Sequence, residues 1–394
     1  MGQLQSKPPG NVHLLVIVLA QFAGTSLWFA GNAILPNLQP LLGTTALSGW
    51  ITSAVQLGFI AGTLVYTIFR IPDTYPAPRV FLVSVIAAAV FNLLILALPL
   101  LPAYILLSRF GTGFFLAGVY PVGMKIAADW FRPVLGRVMG FLVGALVLGT
   151  ALPHLIRGVG QSLPYQDVLL TVSVLAVAGG LLLVWVMPKT VVTGSGTFNL
   201  RVFPMLLRPG ALRAGVVGYF GHMWELYALW AFLPALLTIY SQLHPDYLFN
   251  KSVWAFYGIA AGFLGCAGGG LLALRMGSRQ VATGNLAISC LCTALIPLVV
   301  HASPMLFLGF LLIYGVTLAG DSPQLTTIVS INVPAEIRGS LLTLLTCIGF
   351  SITIISIQTL AWLLPFSGNS VWAFWLLVPG PVLGIWGLVN KPTS

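Results

Sequence analysis

The sequence predicts an all-α membrane protein: twelve transmembrane helices in two pseudo-symmetric six-helix bundles, with both termini cytoplasmic. Three observations predict it. The 394-residue chain is 58% hydrophobic and 6% charged, against roughly 25% charged in a soluble domain. It divides into twelve apolar runs, each near the ~20 residues that cross a bilayer. Its basic residues collect in alternate connections between those runs. With 17 basic and 7 acidic side chains, a water-soluble surface cannot be covered. A soluble enzyme, a disordered chain, a disulfide scaffold and a free nucleic-acid binder are excluded.

The runs are taken in order, broken at Pro, Gly, Asn and charge. A short polar start, Met1 to Gly10, precedes span 13–35, which is too long for a signal peptide and closes at Pro36. Span 46–69 stops at Arg70, and span 80–100 begins after Arg79. Pro99 and Pro102 separate that span from span 103–128. Span 136–157 ends at Arg157, and span 165–187 lies between Pro164 and Pro188. Arg208-Pro209-Gly210 precedes span 211–240. Span 252–276 follows Lys251 and stops at Gly277. Span 280–300 follows Arg279, span 304–329 opens at Pro304, and spans 338–362 and 370–388 complete the set. Cys266, Cys290, Cys292 and Cys347 all fall inside apolar runs and read as small hydrophobes.

Charge placement supports an even count. With the N-terminus inside, the cytoplasmic segments hold Lys7, Arg70, Arg79, Arg132, Arg137, Lys189, Arg201, Arg208, Arg213, Arg275, Arg279, Arg338 and Lys391. The outer segments hold Arg157 and Lys251, and Arg109 and Lys125 lie within a span. This is a positive-inside distribution, and it accounts for the net charge of +10 without a nucleic-acid partner. Pro188 to Pro209 is the longest polar stretch. It divides the chain into bundle 1–187, linker 188–210 and bundle 211–394.

The two bundles repeat each other. Leu116-Ala117-Gly118-Val119-Tyr120-Pro121 in span four matches Leu318-Ala319-Gly320-Asp321-Ser322-Pro323 in span ten. Gly24 and Pro36 match Gly221 and Pro234, Trp28 falls opposite Glu225, and Gly62-Thr63-Leu64 is set against Gly270-Leu271-Leu272. Two related six-helix bundles about an axis along the membrane normal form the build of many secondary transporters. Their substrate path lies between the bundles.

At the ends of spans the sequence resembles the major facilitator superfamily. Gly270-Leu271-Leu272-Ala273-Leu274-Arg275-Met276-Gly277-Ser278-Arg279 is similar to its loop signature G-x-L-x-D-R-x-G-R/K-R/K, with Leu274 in the Asp position. The corresponding stretch after span two is extended, with Asp73 and Arg79 downstream of Gly62. Arg109-x-x-x-Gly113 resembles the family's Arg motif in span four. Pro334-Ala335-Glu336-Ile337-Arg338-Gly339 resembles its loop before span eleven. The resemblance implies gating by Asp73, Arg79, Arg137, Arg275, Arg279, Glu336 and Arg338, as latches between basic side chains, carboxylates and helix ends. Tyr219 to Glu225 and Ala127 to Phe131 are similar to bacterial nitrate/nitrite and cyanate porters. Spans two and eight lack the mid-span Arg of the nitrate porters, so nitrate is not the expected cargo. Gly140, Gly144 and Gly149 in span five permit close helix approach and resemble the antiporter motif of drug exporters.

An ionisable side chain at the bilayer centre is costly and marks a functional candidate. Glu225 and Asp321 are the acids placed within spans. Burial disfavours the charged form of a carboxyl, which makes it a proton carrier. His222 lies one turn from Glu225 and could relay to it. Arg109 completes the proton-coupling set Glu225, Asp321, His222 and Arg109. Pro323 kinks span ten beside Asp321. Candidate substrate-binding residues are Trp28, Asn32, Gln56, Tyr120, Lys125, Tyr257, Gln324 and Gln358. His222-x-x-Glu225 as a metal site lacks further ligands, and no metal or cofactor is expected. No G-x-x-x-x-G-K-S/T, H-E-x-x-H or G-x-S-x-G occurs, so direct ATP drive and membrane hydrolysis find no support.

The sequence therefore reads as no enzyme but a monomeric, proton-coupled secondary transporter of the cell inner membrane, importing a small polar organic solute or anion by symport. Its partners are that small-molecule substrate, protons and membrane lipid. The alternative is a proton-driven efflux antiporter for amphipathic compounds. A metal exporter and a non-transporting receptor or membrane enzyme are further readings.

Overall fold

The structure, a computed structural model, describes residues 10–42, 47–131, 134–160, 164–187, 200–208 and 210–390. It describes backbone only at Leu135, Leu200, Arg201, Ala335 and Glu336. Among these residues twelve helices are long and apolar enough to cross a membrane. They are α1 (Asn11–Leu42), α2 (Leu47–Ile68), α3 (Ala77–Ala97), α4 (Pro102–Trp130), α5 (Gly136–Val159), α6 (Tyr165–Val186), α7 (Ala211–Leu243), α8 (Lys251–Met276), α9 (Ser278–Val299), α10 (Pro304–Ile331), α11 (Ile337–Phe366) and α12 (Val371–Val389). Each expected span coincides with one helix, with ends moved by a few residues. Most of the expected linker, 188–199 and Pro209, lies outside the described residues, as do Lys7, Arg132 and Lys391. Leu200–Leu207 forms a short 3-10 helix.

Long apolar runs form helices here because a helix satisfies its own backbone polar groups in lipid. Five of the twelve are nevertheless broken; α12 opens as a 3-10 helix, Val371–Leu377, and becomes α-helical only from Pro379. Residues 26–29 interrupt α1 as turns. α4 breaks between Leu116 and Tyr120, α8 at Ala261, and α10 between Gly320 and Ser322. The breaks in α4 and α10 fall on the repeated Leu-Ala-Gly-x-x-Pro segments. In each, the proline lacks a backbone donor and crowds the preceding turn. The kink expected at Asp321 is therefore present, and its counterpart lies at Val119.

Glycines set the closest helix contacts. A Cβ at Gly113 would overlap the Val55 carbonyl, and one at Gly62 the Phe114 carbonyl. In the last six helices, Gly315 meets Gly258 and Gly265 meets Val316 in the same manner. The packing register thus pairs Gly62 with Gly265. The match of Gly62 to Gly270 is corrected by about one turn, since small-residue motifs in apolar sequence align by composition, whereas packing aligns by contact. Gly113→Ala is expected to destabilise the protein by about 1–3 kcal/mol through overpacking. Gly309→Ala, with nothing within 4 Å of the added methyl, is expected to be neutral. Thermal unfolding in detergent checks the pair, and equal midpoints for the two variants would contradict this packing.

The first six helices meet the last six along two seams. On the α2–α11 seam the contacts run from Thr67–Thr343 through Phe59–Phe350 and Gln56–Thr353 to Ser53–Gln358. On the α5–α8 seam they run from Gly140 against Cys266, through Gly144 against Phe263, to Gly158 against Val253. Both seams are closed along their length. The small residues of α5 are what let α8 approach. For orientation, the basic face is the one carrying the α2–α3, α4–α5, α8–α9 and α10–α11 connections, and the other is the opposite face.

Candidate functional site

Three groups of buried polar and aromatic residues stand at the centre of the bundle. The first is aromatic and lies where the two sets of six helices meet. Trp28, at the α1 break, has its ring centroid 4.8 Å from Phe59 of α2, 5.9 Å from Tyr227 of α7 and 5.5 Å from Phe350 of α11. Phe29 and Trp230 pack beside it at 6.3 Å from each other. Amides border the cluster. Asn32 donates to Thr52 Oγ1 at 2.7 Å, Gln56 accepts from Thr353 at 2.8 Å, and Gln358 donates to Ser53 at 2.7 Å. Trp28 Nε1, Trp230 Nε1, Asn32 Oδ1 and Gln56 Nε2 are buried without a partner among the described residues. Buried polar atoms are normally paired, so this surface has hydrogen-bonding capacity to offer a solute. Four expected substrate residues, Trp28, Asn32, Gln56 and Gln358, are brought together here.

The second group lies in the last six helices and contains both buried acids. The carboxylate of Glu225 on α7 accepts from Ser289 (3.1 Å) and Thr293 of α9 and from Tyr314 of α10 (2.8 Å). His222, one turn earlier, does not reach Glu225. Its Nδ1 lies 2.9 Å from Oδ1 of Asp321, with both side chains 1% exposed. The two groups lie within ion-pair distance, the histidine carrying charge only when protonated. Neither carboxylate oxygen of Asp321, nor Nε2 of His222, has a hydrogen-bond partner among the described residues. The expected relay between His222 and Glu225 is therefore corrected: the α10 break carries Asp321 to the histidine, and hydroxyls occupy the glutamate. Gln324, 3% exposed, follows Asp321 by three residues on the same helix.

The third group is built on Arg109 of α4, which is fully buried. Its guanidinium donates to Asn92 Oδ1 at 2.7 Å, to the Leu27 carbonyl at 2.8 Å and to the Trp28 carbonyl at 2.6 Å. Asn92 in turn donates to Ser173 at 3.0 Å. The broken α1 backbone leaves carbonyls that a continuous helix would satisfy, and Arg109 satisfies them. These contacts give Arg109 a structural role, holding the α1 break and, with it, Trp28.

Other expected site residues fall elsewhere. Lys125 pairs with Asp73 at 3.0 Å and with Asp129 at 3.6 Å toward the basic face. It is a partly exposed tie among the first six helices, carried on the second part of α4. Such a pair contributes at most about 1 kcal/mol. Tyr257 is 45% exposed, and Tyr227 and Phe350 take the place it was expected to fill. Tyr120 is half-buried beside the α4 break. Of the gating residues, Asp73 alone has an ion-pair partner among the described residues. Arg79 and Arg275 are exposed, as is Arg137, which lies 5.8 Å from the Phe141 ring centroid. Arg279 donates to the Leu388 carbonyl and Arg338 to the Val333 carbonyl at 3.1 Å. These contacts tie chain ends within the last six helices and do not latch one set to the other. The Glu336 side chain lies outside the described residues.

Ser289, Thr293, Tyr314, Asn92, Phe59 and Phe350 were not picked out from sequence. Hydroxyls and aromatics are common in apolar spans, and only their approach to Glu225, Arg109 and Trp28 distinguishes them. Tyr314 and Thr293 could have been sought as partners for a carboxyl that cannot stand alone in a membrane.

Comparison with known families matches residues 16–357 to the family model described as Major Facilitator Superfamily. Comparison with curated proteins gives no match.

Proposed function

The chain belongs to the Major Facilitator Superfamily and is a multi-pass membrane transporter, and from that premise we propose that it couples movement of a small polar organic solute to protons by alternating access. Residues 1–187 and 211–394 are the two moving bodies, both termini are cytoplasmic, and the protein works as a monomer in the cell inner membrane. The observation that carries the coupling is the His222–Asp321 pair. It is almost wholly buried, has a spare oxygen and a spare ring nitrogen, and stands at a helix break. A proton can be held on this pair and released when the seams part. Glu225, with three hydroxyl partners, is the second candidate carrier.

Solute binds at the aromatic and amide surface around Trp28, where rings offer apolar faces and the amides offer hydrogen bonds. The anion part of the expectation loses its support, since Arg109 and Lys125 are both engaged. Import by symport is the first reading. The aromatic rings around Trp28 also favour a second reading, proton-driven efflux of amphipathic compounds.

Proteoliposomes screened with neutral metabolites, small carboxylates and cationic dyes test this. At least one solute is expected to accumulate against its gradient when a pH gradient is imposed, and to leak back on addition of a protonophore. Accumulation that a protonophore leaves unchanged would overturn proton coupling, and dye expulsion in place of uptake would select the efflux reading.

A further inference from the structure

The connections on the opposite face contain two Lys or Arg residues, Arg157 near the end of α5 and Lys251 at the start of α8. They are 94 residues apart in sequence and belong to different sets of six helices. In the fold they line one cleft of about 330 Å³, together with Asn37, Tyr165, Asn250 and Ser252. That volume is at the lower end for small-molecule sites.

Asn250 fixes the two cations relative to each other. Its Oδ1 accepts from the backbone N–H groups of Ser252 and Val253, both at 3.1 Å, which caps α8. Its Nδ2 donates to the Gly158 carbonyl at 2.6 Å, which ties that cap to the residue after Arg157. One side chain thus spans the joint between the two sets of helices. The ion pairs among the described residues are Lys125 with Asp73 and Asp129, and His222 with Asp321. Among the described residues neither Arg157 nor Lys251 therefore has a carboxylate within 4.0 Å. The acids of this face, Asp167 and Asp246, are not paired to them. Two like charges held in one cleft repel, and an oxyanion between them reverses the sign of that interaction and satisfies both donors.

We propose that this cleft is an oxyanion site, in which a phosphate or carboxylate group bridges Arg157 of α5 and Lys251 of α8 and so favours closure of the opposite face. The site is separate from the Trp28 cluster, and the assignment does not depend on proton coupling. Asn37, Tyr165 and Ser252 supply further polar contacts for the bound group. Two sources offer this chemistry: a soluble anion, or the headgroup of an anionic lipid seated at the membrane boundary.

The test is a titration of the purified full-length protein with inorganic phosphate, in an uncharged maltoside detergent, at ionic strength held constant with chloride. Saturable thermal stabilisation is expected for the unaltered chain. Arg157→Gln and Lys251→Gln are each expected to raise the apparent Kd roughly tenfold or more, and Arg208→Gln, at an exposed residue, to leave it unchanged. Arg157→Lys serves in place of Arg157→Gln should the latter fail to fold, and it keeps a weakened response. Repeating the titration in phosphatidylcholine nanodiscs with added phosphatidylglycerol separates the sources. Competition by that lipid assigns a headgroup, and its absence assigns a soluble anion. Stabilisation that persists in both glutamine variants, or that chloride alone reproduces, overturns the site. Loss in only one variant overturns the bridge.

Discussion

Asp321→Asn is expected to abolish solute-coupled proton movement, lowering it by roughly 100-fold or more, while the protein still folds. The substitution keeps the shape of the side chain and its place at the α10 break. It removes the one property that matters for coupling, since an amide cannot take up and release a proton near neutral pH. A stability change of about 1–2 kcal/mol is expected, as for a single buried polar replacement. The measurement is lumenal pH in proteoliposomes on addition of the transported solute, with solute counterflow measured alongside. Counterflow should survive, because exchange of solute across the bundle needs the Trp28 surface but no net proton. Proton movement at unaltered stoichiometry in Asp321→Asn would move the carrier to Glu225, the other buried acid among the described residues. Glu225→Gln would then be the variant that uncouples.

Arg109→Ala is expected to give the largest loss of stability, about 3–5 kcal/mol. The carbonyls of Leu27 and Trp28 and the Asn92 amide oxygen would lose a charged donor at once. None of these acceptors has water to turn to in the core of the bundle. The α1 break would then shift, and Trp28 with it, so the change should be visible in tryptophan fluorescence as well as in the unfolding midpoint. Arg109→Lys is expected to recover less than half of the loss, since an ammonium is a point charge and cannot reproduce the planar fork. An Arg109→Ala protein that melts with the unaltered one would mean that the break in α1 does not depend on the clamp.

These two expectations rest on different kinds of information. That Asp321 is a candidate was legible in the chain: an acid beside a proline in an apolar span is costly unless used, and its repeat with Val119 marked a special place in span ten. That its partner is His222, rather than Glu225 having that histidine, was not legible. His222 and Glu225 share a helix face by spacing, but α9 and α10 bring Ser289, Thr293 and Tyr314 to the glutamate and the α10 break brings Asp321 to the histidine. Arg109 shows the same limit. Its burial was readable from its position in span four. Its role depends on carbonyls set free in α1, and neither Ser26 nor Phe29 carries a signal for a break, since no Pro or Gly stands between residues 25 and 30.

The chain by itself determined the twelve spans, the break at Pro323 and the class of protein. The reason is that bilayer thickness and the cost of unpaired backbone groups act on each segment independently, so composition and length suffice. Only the tertiary structure decided which polar group answers which. Lys125 went to Asp73, Arg109 to backbone carbonyls, Gly62 into register with Gly265, and Arg157 beside Lys251 across the joint. Side-chain pairing in a bundle depends on helix rotation and on contacts between residues tens to hundreds of positions apart, and no local pattern encodes either.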